Sequence, residues 1–258
     1  TEKITREALN FLSNYQDKNP FFVWIHYMDP HVPYTLHEKY FNIFYNDRLY
    51  RNNGRMLKLN PDNSRFWYDK LGYIPKAAFH KDKFFLNYYI ACYDTEICYT
   101  DFYIGKLLEK IPENTIIVLS ADHGESLGEH DRYFCHGISI YDEVLHVPLI
   151  VKDNRFFKGG KKITKVVSSV DIVPTILSRV NAFWYFFNKN KFDGIDLKEV
   201  IKNKDIKRKY IYSYWFWAWS IREVNRNIKY ILNKYKYGGE ELYFLPNEHD
   251  NLINDNSA

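Results

Sequence analysis

The apolar positions of the chain change period several times, and each change predicts an element. Between Thr1 and Tyr15 the residues Ile4, Ala8, Leu9, Leu12 and Tyr15 recur at intervals of three and four, the spacing that brings side chains onto one face of a helix. After Asn19-Pro20 comes the unbroken run Phe21-Phe22-Val23-Trp24-Ile25, whose length and aromatic and β-branched content predict a buried strand. It ends at His26-Tyr27-Met28-Asp29-Pro30-His31, because proline has no amide hydrogen to donate and stops regular structure. From about Phe41 to Lys83 no period is sustained, which predicts an irregular excursion with short helices, the kind of segment that often covers a site. Helical spacing returns from Phe85 to Leu108 through Tyr89, Cys92, Tyr93, Ile97, Ile104 and Leu107, and Ile111-Pro112 closes that helix.

Further on, Thr115-Ile116-Ile117-Val118-Leu119-Ser120 reads as a central strand and Val147 to Val151 as a third, while Val166 to Val170 leads into a helix near Asp171 to Val180. This alternation predicts α/β architecture with a largely parallel sheet. The tail differs: Lys209 to Tyr214, Trp219 to Val224 and Ile228 to Asn233 are closely spaced strand candidates that predict a small antiparallel sheet. The expected organisation is an α/β domain over 1–205 and an antiparallel subdomain over 206–258.

With 258 residues, 46% of them hydrophobic, the chain can bury a full core and is not disordered. Its 36 Lys+Arg against 32 Asp+Glu leave a formal charge of +4 dispersed along the sequence, which argues against a nucleic-acid partner. No apolar run approaches the roughly 20 residues of a membrane span, and the densest aromatic stretch, Tyr210 to Trp219, is broken by Ser213 and reads as a buried strand pair. Cys92, Cys98 and Cys135 form neither a CxxC pair nor an even framework, so they read as reduced core residues and lean towards a cytoplasmic setting. The opening residues have no basic n-region or apolar h-region, so the chain reads as starting inside a folded element.

The chemistry concentrates in Ser120-Ala121-Asp122-His123-Gly124-Glu125, directly after an apolar strand. Ligand sites of open α/β sheets lie beyond the carboxyl ends of strands. Adjacent carboxylate and imidazole, with Gly124 permitting the turn, can serve as two ligands of one divalent metal; the alternative is a polar turn stabilised by the Asp side chain.

The longer stretch Thr115 to Val151, TIIVLSADHGESLGEHDRYFCHGISIYDEVLHVPLIV, resembles the sulfatase family of the alkaline phosphatase superfamily. It has that family's order of strand, Asp with a second ligand, Gly-Glu, Leu-Gly-Glu-His, His-Gly, Tyr-Asp-Glu and Val-Pro-Leu-Ile. Pro20 to Tyr34 (PFFVWIHYMDPHVPY), Tyr93 to Leu108, Ser169 to Leu177 (SVDIVPTIL), Asp193 to Leu197 (DGIDL) and Glu241 to Asn251 (ELYFLPNEHDN) resemble further pieces in family order. The resemblance implies an alkaline-phosphatase-like sandwich with a mostly parallel central sheet plus the small C-terminal antiparallel sheet. It implies that Asp122 and His123 bind the catalytic metal, and that His31 contacts the ester oxyanion and can protonate the leaving group, a task suited to a side chain titrating near neutrality. His136 falls, with an offset of about one residue, where relatives place a Lys or His on the sulfate or phosphate oxygens. His31, Asp122, His123 and His136 are therefore expected to line one cleft. His130 is read as supporting or catalytic, Asp29 and Asp171 as caps of a turn or helix, and Tyr141, Asp142 and Glu143 as ordering the backbone near the site. Trp215, Trp217 and Trp219 alternate as on a strand, with one face in the core.

Sulfatases attack with a formylglycine made from Cys or Ser in Cys/Ser-x-Pro/Ala-x-Arg, and no Cys or Ser here stands in that motif. The nucleophile and two further Asp ligands are expected in a preceding segment, the chain corresponding to the carboxyl-terminal two-thirds of the family fold and being inactive alone. The implied activity is metal-dependent hydrolysis of sulfate esters. Because His123 stands where many sulfatases have Asn, an enzyme for phosphodiesters or phosphonate monoesters is the alternative, and a non-catalytic ligand-binding member is a third reading. The cofactor is one divalent metal: calcium by resemblance, manganese or zinc by the preference of an imidazole nitrogen. The partner is a sulfate or phosphate ester, and nothing in the sequence indicates an oligomeric state.

Overall fold

The helix at the start of the chain forms where the three-and-four spacing predicts it. In the computed structural model the helices, in chain order, are α1 (Glu2–Asn14), α2 (Glu38–Tyr45), α3 (Leu86–Leu108), α4 (Asp142–Leu145), α5 (Ile172–Arg179), α6 (Phe183–Asn188) and α7 (Leu197–Lys202). The strands are β1 (Lys58–Leu59), β2 (Tyr73–Ile74), β3 (Ile117–Ser120), β4 (Ser126–Leu127), β5 (Tyr133–Cys135), β6 (Leu149–Lys152), β7 (Tyr210–Trp215), β8 (Ala218–Glu223), β9 (Ile228–Asn233) and β10 (Glu240–Phe244). The structure describes residues 1–15, 19–45, 55–59, 72–76, 78–137, 139–157, 159–202, 208–234 and 239–254. They divide into two compact units, Thr1–Pro112 with Glu125–Gly137, and Glu113–Gly124 with Ile138–Ala258.

The first unit is built on α3. Its buried stripe, Tyr88, Tyr89 and Cys92, joins Val32, Tyr34, Leu57, Ile74, Ala78, Tyr133 and Phe134 in one core. The aromatic rings interlock, with Phe134 4.8 Å from Tyr89 and 5.7 Å from Tyr34, close to the geometries aromatic pairs prefer. Buried tyrosines need partners for their hydroxyls: Tyr89 donates to the Lys83 carbonyl at 2.9 Å and accepts from the His80 amide at 3.0 Å. All three cysteines are free, and burial pushes the Cys92 thiol up to about 12, so it packs as an inert apolar group.

The second unit pairs β3 with β6 antiparallel, Ile117 opposite Lys152 and Ser120 opposite Leu149. Its four-stranded antiparallel sheet has the order β10-β9-β8-β7. Ala218, Ile231 and Tyr243 of that sheet close over Ile140, with Tyr141 and Leu145 packed against them. The SVDIVPTIL and DGIDL pieces lock together. Fully buried Asp171 caps its own helix by accepting from the Ser168 amide, accepts from the Ile195 amide at 2.8 Å and pairs with Arg208, so its role is the structural one expected. Arg179 pairs with Asp196 in the same way.

Several expectations are corrected. Phe21 to Ile25 forms no strand: no partner edge bonds to it among the described residues, and Phe22 and Trp24 are 75% and 79% exposed. An apolar run specifies an extended backbone, but a strand also needs a neighbour. A mostly parallel central sheet is not seen among the described residues, where β1 and β2 make the parallel pair and the β3–β6 pairing is antiparallel. The stretch Tyr210 to Trp219 is a strand pair, yet Tyr212 and Tyr214 lie exposed, because only alternate residues face the core. β10 was not anticipated as a strand. Within the irregular excursion, α2, β1 and β2 are seen, while 46–54, 60–71 and 77 lie outside the described residues. Among the described residues no helix is long and apolar enough to cross a membrane.

A Cβ at Gly194 would lie 1.9 Å from the Val170 carbonyl oxygen, a backbone atom that cannot step aside, whereas one at Gly105 inside α3 meets nothing within 4 Å. Gly194→Ala is expected to cost about 2–3 kcal/mol from overpacking and Gly105→Ala to gain about 0.5–1 kcal/mol from helix propensity, both read by urea denaturation.

Candidate functional site

In the second unit, the Ser120 hydroxyl at the end of β3 donates to the Pro148 carbonyl at 2.8 Å, fixing where the chain leaves the strand. Asp122 and His123 follow at once. The Asp122 Oδ1 accepts the His123 amide at 3.0 Å, and the His123 ring donates from Nδ1 to the Gly124 carbonyl at 2.8 Å. A neutral imidazole that donates from Nδ1 carries its lone pair on Nε2, the form that ligates metals. That Nε2 lies 3.8 Å from Asp122 Oδ1, and the Asp122 side chain is 69% exposed. Metal–nitrogen and metal–oxygen bonds of about 2.0–2.2 Å let a single ion touch both atoms, so this pair fits two ligands of a divalent cation. Among the described residues no group of three or more His, Cys, Asp or Glu is arranged to hold a metal.

Gly124 shows why the loop takes this form. Its amide donates to the Val144 carbonyl at 2.7 Å, and a Cβ on it would stand 2.1 Å from the Glu143 carbonyl oxygen. Only glycine lets α4 approach the loop this closely. The Tyr-Asp-Glu piece therefore does order the backbone beside Asp122 and His123, as expected from the sequence.

In the first unit, the Asp-Pro-His-Val-Pro-Tyr loop is anchored by Val32 and Tyr34, both in the core, which leaves His31 at its turn. His31 donates from Nδ1 to the Val32 carbonyl at 2.6 Å. Its ring sits edge-on to that of His136, 5.0 Å between centroids, so these two candidates are brought together. The His136 Nδ1 lies 3.3 Å from a carboxylate oxygen of Glu125, whose side chain is nearly fully buried. Burial, and then the charge of Glu125, raises the Tyr34 hydroxyl well above the usual tyrosine range. His130 lies in the Glu129–Asp131 turn with φ 52°, in the left-handed region.

Glu125 and Glu96 were missed as site residues. Glu125 appeared only as part of a Gly-Glu piece with no stated role. Glu96 is fully buried on α3, four residues after Cys92 on the apolar stripe, and a charge at that position was the available signal. Its carboxylate accepts the Thr35 amide at 2.5 Å and lies 3.6 Å from His37, pinning the far end of the His31 loop. Burial pushes its pKa up to about 7, the Thr35 amide opposing and the charge of Asp29 adding to the rise.

The family model described as Sulfatase matches residues 1–182. The chain is 28% identical to an arylsulfatase of Clostridium perfringens (strain 13 / Type A) over 276 residues, 98% of this chain and 53% of that protein. It is 34% identical to an N-acetylglucosamine-6-O-sulfatase of Bacteroides thetaiotaomicron over 124 residues, 45% of this chain and 21% of that protein. A solved structure of BT4656 in complex with its substrate D-glucosamine-2-N,6-O-disulfate superposes with a TM-score of 0.71 at 19% identity, covering 98% of this chain and 65% of that one, which establishes a sulfatase-like α/β fold. Even where it matches along nearly its whole length, the chain spans only about half of the curated arylsulfatase.

The Glu96 carboxyl titrates near 7 in the folded state and, once unfolded, near its ordinary value of about 4.3. Between those values the folded state binds more protons, so stability falls as pH rises. Wild type is expected to lose stability relative to Glu96→Gln as pH increases from about 4.3 to about 7.5, with parallel profiles outside that window; urea titrations across pH measure the difference.

Proposed function

The chain belongs to the sulfatase family, and from that premise we propose that the protein is a metal-dependent sulfuric ester hydrolase in which Asp122 and His123 hold the metal and His31 and His136 hold the transferred group. The observation that carries the reading is the His31–His136 pair, 5.0 Å apart, each ring engaged through its Nδ1. His31 is assigned the leaving-group oxygen, to which an imidazolium can give a proton as the ester bond breaks. His136 is assigned a non-bridging oxygen, and the buried Glu125 carboxylate, 3.3 Å from its Nδ1, orients its ring. When bound at Asp122 and His123, the metal would draw charge from the sulfuryl oxygens and favour ionisation of the nucleophile. The family's Cys/Ser-x-Pro/Ala-x-Arg motif does not occur in the sequence, and no residue here is assigned as nucleophile.

Sulfated amino sugars are the first substrate class to test, since one relative is an N-acetylglucosamine-6-O-sulfatase and the structural neighbour was solved with a sulfated glucosamine. A second reading, hydrolysis of phosphodiesters or phosphonate monoesters, is favoured by one feature: His123 offers nitrogen where an all-oxygen calcium shell would offer none.

The test uses the protein at its native length, with 4-nitrophenyl sulfate, N-acetylglucosamine 6-sulfate and bis(4-nitrophenyl) phosphate as substrates. Sulfate esters are expected to be the better substrates, manganese or zinc to restore chelated enzyme better than calcium, and His123→Asn to move that ranking towards calcium. His31→Ala and His136→Ala are each expected to lower kcat by about 10²- to 10⁴-fold, the range for loss of a general acid or a positioned donor. Faster turnover of the phosphodiester would select the second reading, and full activity in Asp122→Ala would refute the metal assignment.

A further inference from the structure

One lysine in the second unit sits where lysines seldom do. Lys229 on β9 is 1% exposed, and its ammonium lies 2.9 Å from Asp142 Oδ1 and 2.7 Å from Glu248 Oε1. Glu248, itself buried, also accepts the Asp142 backbone amide through its other oxygen at 2.5 Å. Arg222 approaches the second Asp142 oxygen at 3.8 Å. Next door, the Tyr141 hydroxyl donates to Glu241 at 2.8 Å. The first turn of α4 is thus fastened to β8, β9, β10 and the segment after β10 by charged and hydrogen-bonded contacts, most of them out of water. Taking a lysine and a glutamate out of water is costly, and so dense a network is a poor way to gain stability alone.

What α4 does with its other end gives the network a purpose. Its Val144 carbonyl accepts the Gly124 amide, and its Glu143 carbonyl lies against the Gly124 Cα. Gly124 in turn carries the carbonyl that fixes the His123 ring. An unbroken series of short contacts therefore leads from Lys229, through Asp142 and one turn of helix, to the imidazole. We propose that Lys229, with Glu248, is a positioning residue for the metal-ligand pair Asp122–His123, acting through α4 and Gly124. The proposal rests on the reading of that pair as metal ligands. Groups that orient ligands typically change metal affinity by about 10- to 100-fold when removed.

The test is made on the native-length protein with Lys229→Met, which keeps the stem and removes the charge, and with Glu248→Gln, which keeps the shape should the first variant fail to fold. Two quantities are read: hydrogen exchange of the Gly124 amide in metal-free protein, and the Mn²⁺ dissociation constant from the paramagnetic signal of free manganese. Arg179→Met, which breaks the buried pair with Asp196, controls for a general loss of stability. The expected result is Gly124 exchange at least about 10-fold faster and Mn²⁺ binding about 10- to 100-fold weaker in the Lys229 and Glu248 variants, with neither changed in the Arg179 variant. Folded variants with wild-type Gly124 exchange, or with faster exchange but unchanged Mn²⁺ affinity, overturn the proposal while leaving the metal reading in place, provided Asp122→Ala abolishes binding. If Asp122→Ala still binds Mn²⁺ as wild type does, the metal reading itself fails and the proposal with it.

Discussion

An imidazole does directed chemistry only when its ring is held in place, and that constraint recurs at every histidine assigned a role. His31 is held by the Val32 carbonyl, His123 by the Gly124 carbonyl and His136 by the Glu125 carboxylate, in each case through Nδ1. Two of these contacts are made to backbone of the residue that follows, so they depend on local chain path. Gly124 supplies that path on one side, and the buried Val32 and Tyr34 supply it on the other. The third contact needs a carboxylate kept inside the protein, and there Glu125 lies close to the aromatic core of the first unit.

Buried charge is the means by which these loops are fixed. Glu96 under the His31 loop and the Lys229–Glu248–Asp142 group under α4 are all costly to remove from water, and each is placed against a backbone amide as well as a charged or titratable partner. Asp171 and Asp196 show the same chemistry away from any assigned role, holding one loop against a helix. Position relative to the candidate ligands, not the presence of a buried ion pair, separates the two cases.

Much of this was legible in the sequence. The periods over Thr1 to Tyr15 and Phe85 to Leu108 return as α1 and α3 within a residue or so, and the closely spaced runs after Lys209 return as β7, β8 and β9. Family membership was legible from the order of short motifs. What could not be read were facts that depend on partners. Phe21 to Ile25 has the composition of a strand but no edge to pair with among the described residues, and β3 takes an antiparallel neighbour that no pattern of apolar residues specifies. Glu125 and Glu96 were hidden for the same reason, since a carboxylate's role is set by what surrounds it; only the place of Glu96 on an apolar stripe gave a sign. Asp142 was read as ordering backbone, and the structure adds what holds it, a lysine that lies 87 residues further along the chain.

The claim on which the account turns is that His123 meets a metal through Nε2. Electron spin echo modulation of Mn²⁺ bound to the native-length protein reads it directly, because a coordinated imidazole nitrogen modulates the echo. The account predicts the signature of one bound ¹⁴N that disappears in His123→Asn while manganese stays bound. Modulation that is absent in the wild type, or unchanged by that substitution, would contradict it.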